Sequence, residues 1–332
     1  MASKTCSVRT GSPPERRFGF DVKRSAGGLP RYKGSTVTDS VPAEAPGQVT
    51  LREAEPGDTG ACAQILFDAF GGLHDYHRFA RDFPELEAAM GFMGMWIPHP
   101  SVWGVVAEIH GRIVGSNFLD ERGPIRGVGP ITVDPQGQNA GVGRKLMAAV
   151  MERGEGAPGI RLLQDAFHMR SLSLYESLGF DVKEPVAVMT GKPRSDPVQD
   201  VEVRPLAEGD LDQCAALCEK VHGFERTNEL RDAIQAFAPF VAVRDGRLVA
   251  YASSVTFWPM NHGVAEGEDD MKALLMGAAA VVEEPLAFLV PLRTGLFRWG
   301  LEEGLRLVKP MNLMALGEYQ EPRGSWFPSV LY

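Results

Sequence analysis

The residues with the most direct chemical meaning are glycines lying between an apolar strand and a helix. The segment runs Gly129-Pro130-Ile131-Thr132-Val133-Asp134-Pro135-Gln136-Gly137-Gln138-Asn139-Ala140-Gly141-Val142-Gly143-Arg144. Ile131 to Val133 is β-branched throughout and predicts a buried strand, which Pro135 and Gly137 stop. A helix is expected from near Gly143, with Leu146, Met147, Val150 and Met151 as its core stripe and the glycines from Gly154 to Gly159 ending it. The first amides of such a helix have no intrahelical acceptor, and the helix dipole favours an anion beside them. The dipole contributes about 0.3–1 kcal/mol when exposed. Gly141 and Gly143 would let backbone approach an oxyanion closely or take positive φ.

The anion is narrowed by what the loop lacks. A nucleoside-triphosphate loop needs Lys and then Ser or Thr after its last glycine, whereas Gly143 is followed by Arg144-Lys145-Leu146. A dinucleotide fingerprint needs a third glycine, where Leu146 stands. What remains is Gln138-x-x-Gly141-x-Gly143 after Val133-Asp134-Pro135. This resembles the acetyl-CoA loop of the GNAT superfamily of N-acetyltransferases. Leu174-Tyr175-Glu176-Ser177-Leu178-Gly179-Phe180 resembles the helix-to-strand signature of the same family. The similarity covers about residues 49–192, and more faintly the stretch after Val201.

The resemblance implies acetyl-CoA as cosubstrate, with no metal, and direct transfer of the acetyl group to a primary amine of a small molecule, amino acid or peptide. It assigns the backbone of Ile131 and Val133 to the pantetheine arm. The amides of Gln138, Asn139, Ala140, Gly141, Val142, Gly143 and Arg144 are assigned to the pyrophosphate. Arg144 and Lys145 could also meet phosphate through their side chains, or form a solvated helix face. Tyr175 holds the position from which relatives protonate the leaving sulfur, and packing between Leu172 and Leu178 is its structural alternative. A thiol with a pKa near 8.5 leaves more easily when an acid is at hand. Where the family often has Asn, seven residues before that Tyr, this chain has His168, which could contact pantetheine, act as a base or have no role. For the base that deprotonates the amine, Asp120 is the first choice, after the strand Ile113 to Leu119. Glu121, His74, Asp75 and His77 are the other candidates.

The elements that must position these groups occur twice. Val49-Thr50-Leu51-Arg52 and Gly57-Asp58 match Val201-Glu202-Val203-Arg204 and Gly209-Asp210. Gly111-Arg112-Ile113-Val114 matches Gly246-Arg247-Leu248-Val249, and the stretch Gly179 to Met189 matches Gly304 to Met314. The order is kept while the offset shrinks, so one fold is used twice. Asp58 and Asp210 read as N-caps, and His110-Gly111 and Asp245-Gly246 as tight hairpin turns. Together these predict an α/β (α+β mixed-sheet) class with two tandem GNAT folds. The divisions expected are a disordered tail over 1–47, a cofactor-binding domain over 48–193, and a degenerate domain over 194–332. The second copy has no Gln-x-x-Gly-x-Gly, and acids from Glu266 to Asp270 stand in its place. Phe297-Arg298-Trp299 stands about where Tyr175 should align. The second copy is expected to wall the substrate cleft or complete the core, and the apolar segment 324–332 to pack on the body and reach the first half.

The bulk numbers, 44% hydrophobic and 23% charged residues, are ordinary for a soluble globular protein. The net charge is −9, with the basic tail at +4, which disfavours a nucleic-acid surface. No apolar run is long enough to span a membrane. The four cysteines suggest neither a disulfide framework nor a metal site, and a cytoplasmic setting is expected. Cys214 and Cys218 read as small buried hydrophobes. A homodimer stays open. The contrasting reading is a catalytically silent acyl-CoA-binding or structural tandem GNAT protein.

Overall fold

The computed structural model describes residues 48–136 and 141–332. The tail over 1–47 and the loop residues Gly137, Gln138, Asn139 and Ala140 lie outside the described residues. The first half runs β1 (Thr50–Glu53), α1 (Thr59–His77), α2 (Leu86–Trp96), β2 (Val102–Ile109), β3 (Arg112–Asp120), β4 (Arg126–Val128), β5 (Thr132–Val133), α3 (Val142–Arg153), β6 (Gly159–Asp165), α4 (Met169–Glu176) and β7 (Asp181–Gly191). The second half runs β8 (Glu202–Pro205), α5 (Leu211–His222), α6 (Thr227–Ala236), β9 (Phe240–Arg244), β10 (Arg247–Ala252), β11 (Gly263–Ala265), α7 (Glu268–Val281), β12 (Leu286–Pro291), α8 (Gly295–Glu302), β13 (Arg306–Gly317) and β14 (Ser325–Phe327). Among the described residues no helix is long and apolar enough to cross a membrane.

The repeated sequences build repeated geometry. Arg52 donates to both carboxylate oxygens of Asp58 at 2.7 and 2.8 Å, and Arg204 does the same to Asp210 at the same distances. The amides of Glu55 and Ala207 donate to these carboxylates as well. Both Asp residues stand at the N-cap positions as expected, but neither side chain caps its helix; each turns back on the preceding loop and pins strand to helix. Both hairpins close through two positive-φ residues, His110 and Gly111, then Asp245 and Gly246, as type I′ turns require. Cys62, Cys214 and Cys218 are buried thiols, as small hydrophobes would be.

The two halves share a sheet. Among the described residues its path is β1-β2-β3-β4-β6-β13-β7-β12, with β5 paired to β3. The last four strands of this path, β6, β13, β7 and β12, therefore alternate between halves, and β13 runs antiparallel to both β6 and β7. A second sheet, β14-β11-β10-β9-β8, belongs to the second half. The segment after β14 reaches the first half. Leu331 packs so closely on Gly127 that a side chain there would meet the Leu331 carbonyl, and Val330 donates its amide to Pro259.

One opening in the shared sheet matters for function. β4 and β6 are parallel partners only at Arg126↔Ile160 and Gly127↔Arg161. Beyond that, β5 folds back onto β3 at Gly115↔Val133 and Ser116↔Thr132. Gly115 permits this, because a Cβ there would lie 2.7 Å from the Thr132 carbonyl. The edge of β5 turned toward β6 has no strand partner among the described residues.

Candidate active site

The splay opens into a cavity of about 550 Å3. Its walls include Val128 to Val133 on one side, Leu162 to Asp165 on the other, and Gly141 to Arg144 at one end. Ile131 and Val133 thus line it from an unpaired strand edge, where an extended ligand could add as a strand.

α3 begins as expected. Gly141 takes φ +74° and no side chain caps the helix. The first intrahelical bond of this turn is Lys145 N–H to the Gly141 carbonyl, so among the described residues the amides of Val142, Gly143 and Arg144 have no intrahelical acceptor. Val142, Leu146, Met147 and Val150 are buried, and each side chain contributes about 1.5–3 kcal/mol toward fixing the helix. The two glycines differ. A Cβ at Gly143 would make ordinary contact with Leu174 at 3.5 Å, while Gly141 needs its positive φ. Arg144 lines the cavity and donates to Ser177 Oγ. Lys145 donates instead to the Val49 carbonyl, tying α3 to the start of the fold. The remaining predicted loop residues, Gln138, Asn139 and Ala140, fall outside the described ones.

Tyr175 also lines the cavity, on the last turn of α4. That turn closes when Phe180 N–H donates to the Tyr175 carbonyl and Gly179 N–H to Glu176, with Gly179 at φ +94°, a Schellman cap. Burial, and then the nearby charge of Asp165, push the Tyr175 phenol pKa up. His168 lines the cavity as the N-cap of α4, and its Nδ1 accepts the Ser171 amide at 3.0 Å. Burial lowers the His168 pKa, which suits an imidazole that accepts at Nδ1.

Asp120 is not part of this cavity, and its assignment as the base is corrected. Arg122 binds it from Nε and Nη2, the latter at 2.7 Å, and the Arg122 amide adds a third donor. The same guanidinium reaches Asp232 of α6. The end of β3 therefore packs into a buried ion network instead of facing the splay. Glu121 pairs with Arg153, and Asp75 with Arg81.

Sequence reasoning singled out His74 but missed Asp82, Asp165 and Lys309, which join it in a polar cluster at the cavity wall. Lys309, on β13, sits 2.6 Å from Asp82, 2.8 Å from Asp165 and 3.2 Å from His74 Nε2. His74 Nδ1 donates to the Phe70 carbonyl. His74, Asp82 and Asp165 offer ligand atoms within 4.8 Å of one another, and the Lys309 ammonium supplies the positive charge they surround. The Trp258 ring lies 4.9 Å from the same Nζ.

The second half lacks these parts. α7 opens with Glu268, Asp269 and Asp270, which disfavour an anion there. The cap of α8 repeats that of α4, with Leu305 N–H donating to Gly300 and Gly304 at φ +87°. The residue equivalent to Tyr175 is therefore Gly300, not one of Phe297-Arg298-Trp299. A Cβ at that position would run into the Met189 sulfur, so Met189 fills the space that the ring of Tyr175 takes in the first half.

Comparison with known proteins agrees with this geometry. A sequence model of the acetyltransferase (GNAT) domain matches residues 99–182. The mycothiol acetyltransferase of Thermomonospora curvata is 31% identical over 139 residues, covering 41% of this chain and 45% of that relative. The match thus spans less than half the relative's length. A Pyrococcus horikoshii protein assigned as an acetyltransferase superposes with a TM-score of 0.68 at 15% identity, over 89% of this chain and 98% of its own. A tandem GNAT protein from the clavulanic acid biosynthesis pathway superposes at 0.52 and 12% identity, over 82% and 100%. Residues 99–182 thus match the acetyltransferase (GNAT) domain model, and the chain has the mixed α/β fold that solved GNAT proteins, tandem ones among them, also adopt.

Proposed function

We propose that this chain transfers the acetyl group of acetyl-CoA directly to the primary amine of a small molecule, amino acid or peptide. The observation that carries this reading is the cavity between β5 and β6, which ends on the uncapped amides of α3. The residues fit the cofactor: Val142, Gly143 and Arg144 present donors for a diphosphate, and the free edge at Ile131 and Val133 suits the pantetheine arm. Bound acetyl-CoA supplies the activated acetyl thioester. Tyr175, kept protonated by burial, is placed to give a proton to the departing sulfur. His168 caps α4 and so fixes the helix that carries Tyr175. The second half is a degenerate copy in this reading. It binds no cofactor, completes the shared sheet through β13 and β12, and walls the cavity with Trp258, Pro259, Lys309 and Val330. Thiol release from acetyl-CoA over a panel of amines tests the proposal. Amine-dependent release supports it, and cofactor binding with no release from any amine contradicts it.

A further inference from the structure

Building on acetyl transfer at this cavity, we infer that the acceptor is a small primary amine carried on an apolar body, with Asp82 as the base that takes its proton. Away from the α3 end, the cavity is walled by Phe70, Leu73, Phe83, Phe92, Trp258 and Val330. Four are aromatic, and the Phe83 and Phe92 rings meet at a tilt of 59° with centroids 5.7 Å apart. These residues come from α1, the loop after it, α2 and the second half. A hydroxylated or polycationic acceptor would leave its polar groups unpaired against this wall, whereas an alkyl or aryl body would be desolvated with no such penalty.

Asp82, Asp165 and Lys309 form one charged cluster on the cavity lining, which also carries Gln164, His168, Arg170 and Ser171. Lys309 Nζ donates to Asp82 Oδ2 and lies between Asp82 and Asp165. The Asp82 side chain keeps 13% of its exposure, against 1% for Lys309 and 5% for Asp165. Asp82 is therefore the most exposed of the three on the cavity lining, and the one that an acceptor reaches most readily. The groups facing it are Lys309, Asp165 and His74. Burial raises the Asp82 pKa, opposed by the Lys309 charge, which brings a carboxylate nearer the basicity that proton transfer needs. Lys309 is a positioning residue that orients the carboxyl group.

The chemistry balances. The acceptor ammonium gives one proton to Asp82, which passes it to solvent. The N–C bond forms as the C–S bond breaks. Tyr175 gives its proton to the departing sulfur, and the second amine proton, leaving nitrogen, returns to Tyr175 through solvent, so that one proton is released to solvent overall.

The test compares 2-phenylethylamine and hexylamine with spermidine and glucosamine. It uses calorimetric binding in the presence of CoA and kcat/KM with acetyl-CoA. At least tenfold tighter binding and tenfold higher kcat/KM are expected for the apolar amines. Asp82→Asn should lower kcat about a hundredfold and abolish the acidic limb of the kcat/KM profile, with CoA affinity unchanged. Asp82→Glu should recover part of the rate. Trp258→Ala should raise KM for 2-phenylethylamine about tenfold with little change in kcat. Preference for the polar amines, or an Asp82→Asn variant that keeps full rate and its acidic limb while binding CoA, overturns the inference. Failure of the unaltered protein to bind CoA would instead remove the transfer reading beneath it.

Discussion

Lys309 of β13 lies 2.8 Å from Asp165 at the end of β6, although 144 positions separate them in the chain. Their strands are neighbours because β13 enters the first half's sheet, where Met311 pairs with Asp165. The ammonium is buried and balances two carboxyl groups. Replacing Lys309 by Met leaves Asp82 and Asp165 facing each other without it, at a cost of about 3–5 kcal/mol. Denaturant unfolding should show that loss, and Asp82→Asn in the same chain should restore part of it. Unchanged stability of the Lys309→Met variant would mean the cluster does not hold the halves together.

The two glycines of the loop should respond differently to substitution. Gly141→Val forces a β-branched residue to φ +74°, costing about 1–2 kcal/mol or more. CoA affinity should fall roughly tenfold or more. Gly143→Ala introduces only ordinary contact with Leu174 and should change affinity far less. Equal losses at both positions would contradict this assignment of their roles.

Tyr175→Phe keeps the packing against Phe180 and removes the proton donor. A fall in kcat of about 10²-fold is expected, with CoA affinity unchanged. Burial holds the phenol pKa above its ordinary value of 10.0, so no rate loss from its ionisation should appear below that pH. An unaffected kcat would assign Tyr175 to packing alone.

The repeated pins give a matched pair of stability tests. Arg52 is about one-third exposed, so loss of the Asp58 contacts in Asp58→Ala should cost only about 1 kcal/mol. Asp210→Ala should cost about the same, and the two should add. The Arg52 hydrogen bond holds the Asp58 pKa below 3.8, and the Arg204 bond does so for Asp210. A depressed carboxyl pKa stabilises the fold above the unfolded value and loses that contribution as pH falls through the folded one. The difference between variant and parent should therefore be full above about pH 4 and shrink below it. A difference that grows on acidification would contradict the pin.

Much of the site is written in local sequence. Gly141 at a helix start, the Tyr175-to-Phe180 cap and the paired hairpins each depend on residues a few positions apart, so their types alone specify the geometry. The doubled fold was legible because the pins and caps recur in order. The interleaving of β13 between β6 and β7 was not, since strand pairing across halves leaves no local signature. The Asp82–Lys309 contact spans 227 positions, and a Lys before Pro310 reads in isolation as a surface residue. Asp120 misled for the converse reason. A strand-end acid near the site looks catalytic until Arg122, which binds it, and Asp232, which the same guanidinium reaches across 110 positions, are placed beside it.

Isothermal titration of the intact chain with CoA reaches the central claim most directly. One binding site per chain is predicted, abolished or strongly weakened by Gly141→Val and unaffected by substitutions at Glu268 to Asp270 in the second half. No heat of binding, or two equivalent sites per chain, would contradict a single diphosphate cradle at the start of α3.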